Sequence, residues 1–283
     1  MVRPVSAPSL GARPLSAVLD VSFAERTDAG RERENDEDYL GHAAPATPSR
    51  ARSHGWLFAL ADGVGGQDRG EVASREAVED ILAGFHAAPA GEPPAALLAR
   101  LAQSANLHVY ELGKSTGPGG VSMATTLVAC ILRHDRVTVA HAGDSRCYLI
   151  RNGHAEALTR DHTVARDQAR LGVISAKEEA ESASKHLLTR SLGAGLFVNV
   201  DIAEHSLEAG DALALCCDGL HNSVAGEDIA AAVAGDASLE DAAERLVDLA
   251  NERDGSDNIS VQLIRVRSVE RVGMYRGRPY KLR

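Results

Sequence analysis

Three aspartates in this chain each lie beside an apolar run of the kind that forms a buried strand. Asp62 follows one such run and precedes a glycine-rich segment, Asp218 follows a second run, and Asp257 precedes a third. A carboxylate in a dry site is costly unless it pairs with a cation or coordinates a metal. Strands can bring residues that are far apart in sequence to one end of a sheet. The three aspartates therefore predict a single oxygen-rich metal centre.

A charged segment near the N-terminus, residues 33–38, adds further candidates. Taken alone, this segment would be a solvated surface turn. Together with the three aspartates it supplies more oxygen ligands, and oxygen ligands with no histidine or cysteine nearby favour Mg²⁺ or Mn²⁺ over zinc. Ions of this kind keep several of their waters, so Glu37 and Asp38 suit a role in holding coordinated water.

Composition indicates a soluble protein with one large core. The chain has 283 residues, of which 44% are hydrophobic, and a single domain of about 250 residues is reasonable for this length. The longest uncharged apolar segment, 121–132, is far shorter than the roughly 20 residues of a membrane span, and no signal peptide is evident. The four cysteines lie in strand-like runs without a C-x-x-C pair, which indicates buried free thiols in a reducing compartment. We therefore expect a cytoplasmic protein with no membrane span.

The charge of the chain is unevenly distributed. The formal net charge is −10, but residues 265–283 carry +6, so the remainder carries −16. An acidic body argues against nucleic-acid binding. The basic end could contact an acidic partner, a nucleic acid or a membrane surface, and a solvated chain end is the favoured interpretation.

The pattern of elements divides the chain into a domain and two tails. Residues 1–16 are rich in Pro, Ser and Ala, which predicts a disordered tail, and residues 267–283 form the basic tail. Between them, 17–266 are assigned to one domain with a polar, partly helical excursion over about 161–188. Apolar residues recur at helical spacing in three segments, 73–85, 98–112 and 239–249. Because strands arrive in hairpins with helices in pairs between them, the fold class is α+β rather than a doubly wound parallel sheet.

The chain resembles the metal-dependent serine/threonine protein phosphatases of the type 2C class (PPM), and within them the bacterial branch. The resemblance covers roughly residues 17–266, with its motifs in the order of that family. The matching blocks are Arg33-x-x-Asp36-Glu37-Asp38, Ala61-Asp62-Gly63-Val64-Gly65-Gly66, Gly70-Glu71-Val72-Ala73-Ser74, Ala124-Thr125-Thr126-Leu127, Ala142-Gly143-Asp144-Ser145-Arg146, Leu158-Thr159-Arg160-Asp161-His162-Thr163, Leu188-Thr189-Arg190-Ser191-Leu192-Gly193, Cys217-Asp218-Gly219-Leu220 and Asp257-Asn258-Ile259.

The resemblance implies a four-layer α-β-β-α sandwich, in which two antiparallel sheets are flanked by helices. It also implies a site for two Mn²⁺ or Mg²⁺ ions at one end of the sandwich, beside a flap at about 161–188. By carry-over, Asp62 bridges both ions and the backbone carbonyl of Gly63 ligates one of them. Asp218 and Asp257 ligate the other.

Three further residues receive roles from the same resemblance. Glu37 and Asp38 hold metal-bound waters, and Arg33 grips the substrate phosphate. The planar guanidinium of Arg33 suits phosphate oxygens better than a lysine would.

The sequence departs from the family pattern at three positions. Asp36 replaces the usual asparagine, and Val64 stands where some relatives have a histidine proposed as general acid. Asn222 replaces an aspartate that, with the counterpart of Asp144, helps to hold a third and weaker metal. Because a neutral amide is a poorer ligand for a hard cation, third-metal binding stays open. Asp144 is either a ligand for that ion or a residue that holds its own turn by hydrogen bonds.

The implied activity is hydrolysis of phosphoserine and phosphothreonine in phosphorylated proteins by a two-metal-activated water, opposing a bacterial serine/threonine kinase. Two alternatives accompany this hypothesis. One is a non-catalytic pseudophosphatase that binds phosphoproteins, although such a protein would normally have lost one of the core acids. The other is a phosphatase dedicated to one partner, such as an anti-sigma-factor antagonist.

Overall fold

Two antiparallel five-stranded sheets form the centre of the molecule. The computed structural model describes residues 18–64, 69–116, 120–235, 238–275 and 278–281. The predicted disordered tail, 1–16, lies outside these residues, as do Gly65 and Gly66 of the glycine-rich segment.

Each sheet takes its strands from both halves of the chain. The first sheet has the order β1-β10-β9-β6-β7, with β1 at Asp20–Asp28, β6 at Arg146–Arg151, β7 at His154–Ala157, β9 at Ala212–Cys216 and β10 at Ile259–Ser268. The second sheet has the order β2-β3-β4-β5-β8, with β2 at Asp38–Ala43, β3 at Trp56–Asp62, β4 at Leu127–Arg133, β5 at Arg136–Ala142 and β8 at Asp201–Ser206. A separate hairpin, β11 at Val272–Tyr275 and β12 at Arg278–Lys281, lies within the segment 267–283.

Helices cover the outer faces of both sheets. The helices that do so are α2 (Gly70–His86) and α3 (Pro94–Ser115) on one sheet and α7 (Gly226–Ala234) and α8 (Leu239–Arg253) on the other. The shorter helices are α1 (Pro48–Ser53), α4 (Val164–Arg170), α5 (Ala176–Glu181) and α6 (Asp218–His221), with a short 3-10 helix at Ala183–His186. None of the helices in the described part of the chain is long and apolar enough to cross a bilayer.

Three buried clusters hold the layers together. Helices α2 and α3 pack on the second sheet through residues such as Ile81 and Leu101, and α7 and α8 pack on the first through residues such as Leu246. The third cluster lies between the sheets and includes Phe58 and Leu213. Each fully buried side chain of this size contributes roughly 1.5–3 kcal/mol. The predicted α-β-β-α order of layers is confirmed.

The topology brings the acidic strand ends to one end of the sandwich. Asp38 opens β2 and lies directly opposite Asp62, which closes β3, in the antiparallel register of the second sheet. Asp218 begins α6 immediately after β9, and Asp257 precedes β10, the neighbour of β9 in the first sheet. The metal-site residues predicted from distant parts of the sequence therefore converge.

The excursion between β7 and β8 carries α4, α5 and the 3-10 helix. It is closed at its base by a β-bridge between Thr163 and Leu188. Helix α5 buries none of its side chains, and α4 buries only Ala165. We refer to 161–188 as the flap. Its weak attachment to the core indicates low local stability.

Candidate metal centre

The end of strand β3 is clamped on both sides of the Asp62 peptide. The hydroxyl of Thr126 accepts a hydrogen bond from the Asp62 N–H at 3.0 Å, and the hydroxyl of Thr125 donates to the Asp62 carbonyl at 2.7 Å. These contacts fix the backbone of Asp62, so its carboxylate is presented from a rigid strand end.

Gly63 lies in a gap that no side chain would fit. Its N–H donates to the carbonyl of Glu37 at 3.0 Å. A Cβ atom at this position would lie 2.5 Å from the backbone of Gly70 and 2.8 Å from the Glu37 carbonyl. The close approach of the segment 37–38 to the start of α2 therefore requires glycine at this position.

Asn258 ties the charged segment 33–38 to the Asp257 turn. Its side-chain oxygen accepts from the Glu37 N–H at 2.9 Å, and its amide nitrogen donates to the Asn35 carbonyl at 2.9 Å. Arg33 reaches the same turn, where it pairs with both carboxylate oxygens of Asp257 at 2.9 and 3.0 Å. The predicted phosphate-binding arginine thus lies against a predicted metal ligand.

Asp144 sits in a turn that other residues hold in place. The N–H of Gly143 donates to Nδ1 of His162 at 3.2 Å, and the N–H of His162 donates to the Gly143 carbonyl at 2.9 Å. Gly143 has a φ of 114° and leaves no room for a side chain beside Thr126. His162 therefore holds this turn from one side, and the buried Asp144 carboxylate accepts a hydrogen bond from its own backbone on the other.

The predicted site residues surround one cavity of about 390 Å³. Its lining consists of Arg33, Glu37, Asp62, Gly63, Val64, Thr126, Asp144, His186, Leu188, Asp218, Ser256 and Asp257. Of the eight predicted site residues, only Asp38 is absent from this lining, because it lies buried directly behind Asp62.

The crowded carboxyl groups raise one another's pKa. Burial raises the pKa of Asp38 to about 7, with a further contribution from the charges of Asp36 and Asp218. Burial raises the pKa of Asp144 to about 8, and the charge of Asp218 adds to this. The pKa of Asp62 is also raised by burial and by the surrounding aspartates. This arrangement of carboxylates therefore disfavours their charged forms.

Only some of the carboxylates in this site form ion pairs with basic side chains of the protein. Arg33 pairs with Asp257, and Nδ1 of His186, on the flap, lies 3.6 Å from an oxygen of Asp218. In the described residues, no basic side chain lies within 4.0 Å of the carboxylates of Asp38, Asp62 or Asp144. These three carboxylates are therefore left without an ion-pair partner among those residues.

The residues present fit a hard divalent cation. Both carboxylate oxygens of Asp38 are buried and have no hydrogen-bond partner within the described part of the chain. A buried carboxylate in that state is stabilised by protonation or by a metal, or a water held by a metal, that satisfies its oxygens. Asp62, Asp144, Asp218 and Asp257 bring carboxylate groups to the cavity, and carboxylate oxygens are ligands that Mg²⁺ and Mn²⁺ prefer.

A second group of possible ligands, His141, His162 and Asp201, lies beside a larger cavity of about 620 Å³. Nδ1 of His162 accepts from the Gly143 N–H, and Nε2 lies 3.2 Å from both an oxygen of Asp201 and Nη1 of Arg190. Arg190 binds the other oxygen of Asp201 at 2.6 Å. The lone pair and the charge that a cation would need are already used, so we assign this group to the support of the Gly143 turn.

Sequence reasoning missed two contributors to the site. His186 belongs to a helix of the flap, and no spacing rule connects it to Asp218. Cys217 lies beside Asp38 and Asp62, although its position directly before Asp218 was a signal that it would be close to the centre.

Comparisons with known proteins agree with this geometry. Residues 34–263 match the family model described as Protein phosphatase 2C. The protein phosphatase PhpP of Streptococcus pneumoniae is 32% identical over 240 residues, which cover 84% of this chain and 94% of that protein. The serine/threonine phosphatase stp of Listeria welshimeri is 33% identical over 256 residues, which cover 89% of this chain and 97% of that protein.

A solved structure shows the same architecture. The catalytic domain of the serine/threonine protein phosphatase PstP, in complex with two manganese ions, is similar with a TM-score of 0.74 and 31% identity. The match covers 88% of this chain and 99% of that one.

Proposed function

The chain belongs to the protein phosphatase 2C family, and we propose that it is a metal-dependent hydrolase of phosphoserine and phosphothreonine in phosphorylated proteins. One observation carries the proposal beyond family membership. Three carboxylates of the site, those of Asp38, Asp62 and Asp144, form no ion pair with a cation of the protein in the described residues. Asp62 and Asp144 line the cavity and Asp38 lies directly behind Asp62, so a cation from solution would meet uncompensated carboxylates there.

Four residues would hold two divalent ions, Mn²⁺ or Mg²⁺. They are Asp62, Asp218 and Asp257 with their carboxylates and Gly63 with its carbonyl, and Asp144 would add a ligand for a third, weaker ion. The chemistry supplied by such ions is activation of a water and neutralisation of phosphoryl charge.

Arg33 would bind the substrate phosphate. Its guanidinium is about two-fifths exposed at the cavity edge, and its pairing with Asp257 keeps it in place before a phosphate arrives. A substrate phosphate would take over some of its N–H donors, because a guanidinium has five of them.

Glu37 and Asp38 would orient coordinated waters. The Glu37 backbone is fixed by Asn258, and Asp38 by its place opposite Asp62 in the sheet. Both therefore act from rigid positions, as the accurate placement of a water requires.

We propose a serine/threonine kinase as the enzyme that this phosphatase opposes, because a phosphoprotein substrate needs a kinase to form it. The four cysteines are buried and unpaired within the described part of the chain. This state suits a reducing compartment, and we propose the cytoplasm.

The test is turnover of phosphopeptides and of p-nitrophenyl phosphate by the full chain, with Mn²⁺ added and with the metal removed by a chelator. We expect release of phosphate only with metal. Binding of phosphopeptides without turnover would instead indicate a pseudophosphatase. Turnover of one phosphoprotein and of no phosphopeptide would indicate a phosphatase dedicated to a single partner.

A further inference from the structure

A thiol lies behind the floor of the metal centre. Oxygens of Asp38 and Asp62 and the sulfur of Cys217 all lie within 4.8 Å of one another. Cys217 is fully buried, and Asp38 is 7% exposed. Asp62 lines the cavity, so an ion could reach the group from the cavity, past Asp62.

The backbone fixes the position of the sulfur. The N–H of Ser260 donates to the Cys217 sulfur at 3.0 Å, and the thiol donates to the carbonyl of Asn258 at 3.2 Å. Both partners belong to the start of β10 and the turn before it. The thiol is therefore held beside the two carboxylates by the pairing of neighbouring strands, and its place does not depend on flexible side chains.

Asp38 points independently to a ligand at this place. Its two carboxylate oxygens are buried, and the polar side chains nearest to them in the described residues, Ser260 and Cys217, do not reach them with hydrogen-bond geometry. The three ligand atoms lie within 4.8 Å of one another, so at most a small inward movement would bring them onto one tetrahedral ion.

We propose that Asp38, Asp62 and Cys217 form a mixed sulfur and oxygen site for a thiophilic divalent cation of the zinc class. This site is distinct from the oxygen ligand set of Asp62, Asp218 and Asp257, with which it shares one residue. Thiolate ligands favour zinc-class ions, whereas carboxylate and carbonyl ligands suit magnesium and manganese.

Binding is a ligand exchange with no change of oxidation state. The S–H bond of Cys217 breaks, a sulfur–metal bond forms and the proton leaves to solvent. The Ser260 N–H continues to donate to the sulfur and stabilises the thiolate. Since Asp62 is common to both sets, a thiophilic ion at this site competes with manganese for that carboxylate.

The neighbouring cysteine provides a matched control. Cys216 is also fully buried, but it packs among the residues under α7 and α8, whereas Cys217 packs between the sheets. The two side chains therefore lie on opposite faces of the same sheet. Cys216→Ser changes the same atom as Cys217→Ser, one residue away and outside the proposed site.

The experiment is a Cd²⁺ titration of the full-length protein after removal of metal with a chelator, followed by the sulfur-to-cadmium charge-transfer absorption in the ultraviolet. We expect a band that saturates with a single equivalent in the wild-type protein and in Cys216→Ser, and no band in Cys217→Ser. Excess Mn²⁺ should weaken the wild-type band by competing for Asp62. An equal band in Cys217→Ser, no band in the wild type, or a band that Mn²⁺ leaves unchanged would overturn the three-ligand site.

A second measurement needs no variant and covers the case in which Cys217→Ser does not fold. X-ray absorption of the wild-type protein loaded with one equivalent of zinc should show a sulfur neighbour at about 2.3 Å. A shell of oxygen and nitrogen alone would refute the proposal. Neither readout requires turnover, so a failure here leaves the proposed phosphatase activity untouched, and the reverse also holds.

Discussion

Two acidic regions of this molecule lie side by side, and the pKa values of their carboxyl groups are shifted in opposite directions. At the base of the flap, Asp161 forms a two-pronged pair with Arg146, with distances of 2.8 and 2.6 Å. Asp201 is likewise bound by Arg190. Burial opposes their charge, but the arginines outweigh it and lower the pKa of both aspartates.

At the metal centre the balance is reversed. Asp38, Asp62 and Asp144 have raised pKa values because burial and the neighbouring aspartates dominate, and at Asp144 the charge of Arg146 offsets them only in part. The difference shows which acids of the chain are structural. A buried acid with its own arginine stabilises the fold, whereas a group of acids without one is built to receive a cation from outside.

The largest effect should come from Asp62→Asn. Loss of this carboxylate removes a ligand that the two main metal ions would share, and we expect kcat to fall roughly 10³-fold, equivalent to several kcal/mol. The metal-free protein should remain folded and gain stability, because one of several repelling charges is gone. Phosphopeptide turnover and thermal unfolding would measure the two effects. Activity within a few-fold of the wild type, with metal still bound, would contradict the assignment of Asp62.

The metal-free protein should lose stability as pH rises. The pKa values of about 7 for Asp38 and about 8 for Asp144 lie above the unfolded value of about 4, so the fold favours the protonated carboxyl groups. Their contribution is therefore lost progressively between about pH 4 and pH 8. Burial lowers the pKa of His134, His141, His162 and His221, so these groups act in the opposite direction up to about pH 6.5, and the net loss, of the order of a few kcal/mol, is expected between about pH 6.5 and pH 8. The raised pKa of His186 acts in the same direction, since its pairing with Asp218 is lost as pH rises.

Urea unfolding in the presence of a chelator, at several pH values across that range, would measure this slope. Asp62→Asn should make it shallower, and saturating Mn²⁺ should remove or reverse it. A metal-free protein whose stability rises steadily toward pH 8 would show that the carboxylates are already compensated.

Arg33→Ala tests the one strong cation in the acidic region. Loss of a charge-assisted contact to phosphate costs about 1.5–3 kcal/mol, which predicts a rise in KM of about ten- to a hundred-fold for a phosphopeptide. Manganese affinity should stay the same or increase, because Asp257 is released from its pair. If KM is unchanged and only metal affinity moves, Arg33 is a partner of Asp257 and takes no part in substrate binding.

The sequence was sufficient for the architecture and for the main helices. Apolar spacing predicted helices over 73–85, 98–112 and 239–249, and α2, α3 and α8 occupy these segments. Helix spacing is local information, so it can be read without knowledge of the fold. The strand β2 was not predicted, because its residues Asp38–Ala43 carry little apolar alternation and owe their conformation to pairing with β3.

The contacts within the site depend on the fold and were only partly predictable. The sequence motifs identified the acidic residues of the site, and the structure brings them together around one cavity. The roles of these residues remain predictions. The pairing of Arg33 with Asp257 joins residues 224 positions apart, and the approach of Cys217 to Asp38 depends on the registers of both sheets. No local pattern encodes such distances. The contact between His186 and Asp218 also depends on how the flap folds back, which its weak apolar pattern does not specify.

The smallest effect on catalysis, and the sharpest test of the contrast, should come from Asp161→Asn. The change removes the acid from Arg146 and leaves a largely buried guanidinium with the Tyr148 hydroxyl as its remaining side-chain partner. Breaking such a pair should cost about 1–3 kcal/mol, because both side chains are less than one-third exposed. For a chain of this size, each kcal/mol lowers Tm by about 2–4 °C. Manganese affinity, measured by calorimetry, should stay within a few-fold of the wild type.

Asp62→Asn is the matched variant, since it makes the same chemical change. It should raise the stability of the metal-free protein and greatly lower its manganese affinity. A large loss of metal affinity in Asp161→Asn with unchanged Tm would mean that the two regions form one electrostatic unit, and the distinction between structural and metal-binding acids would fail.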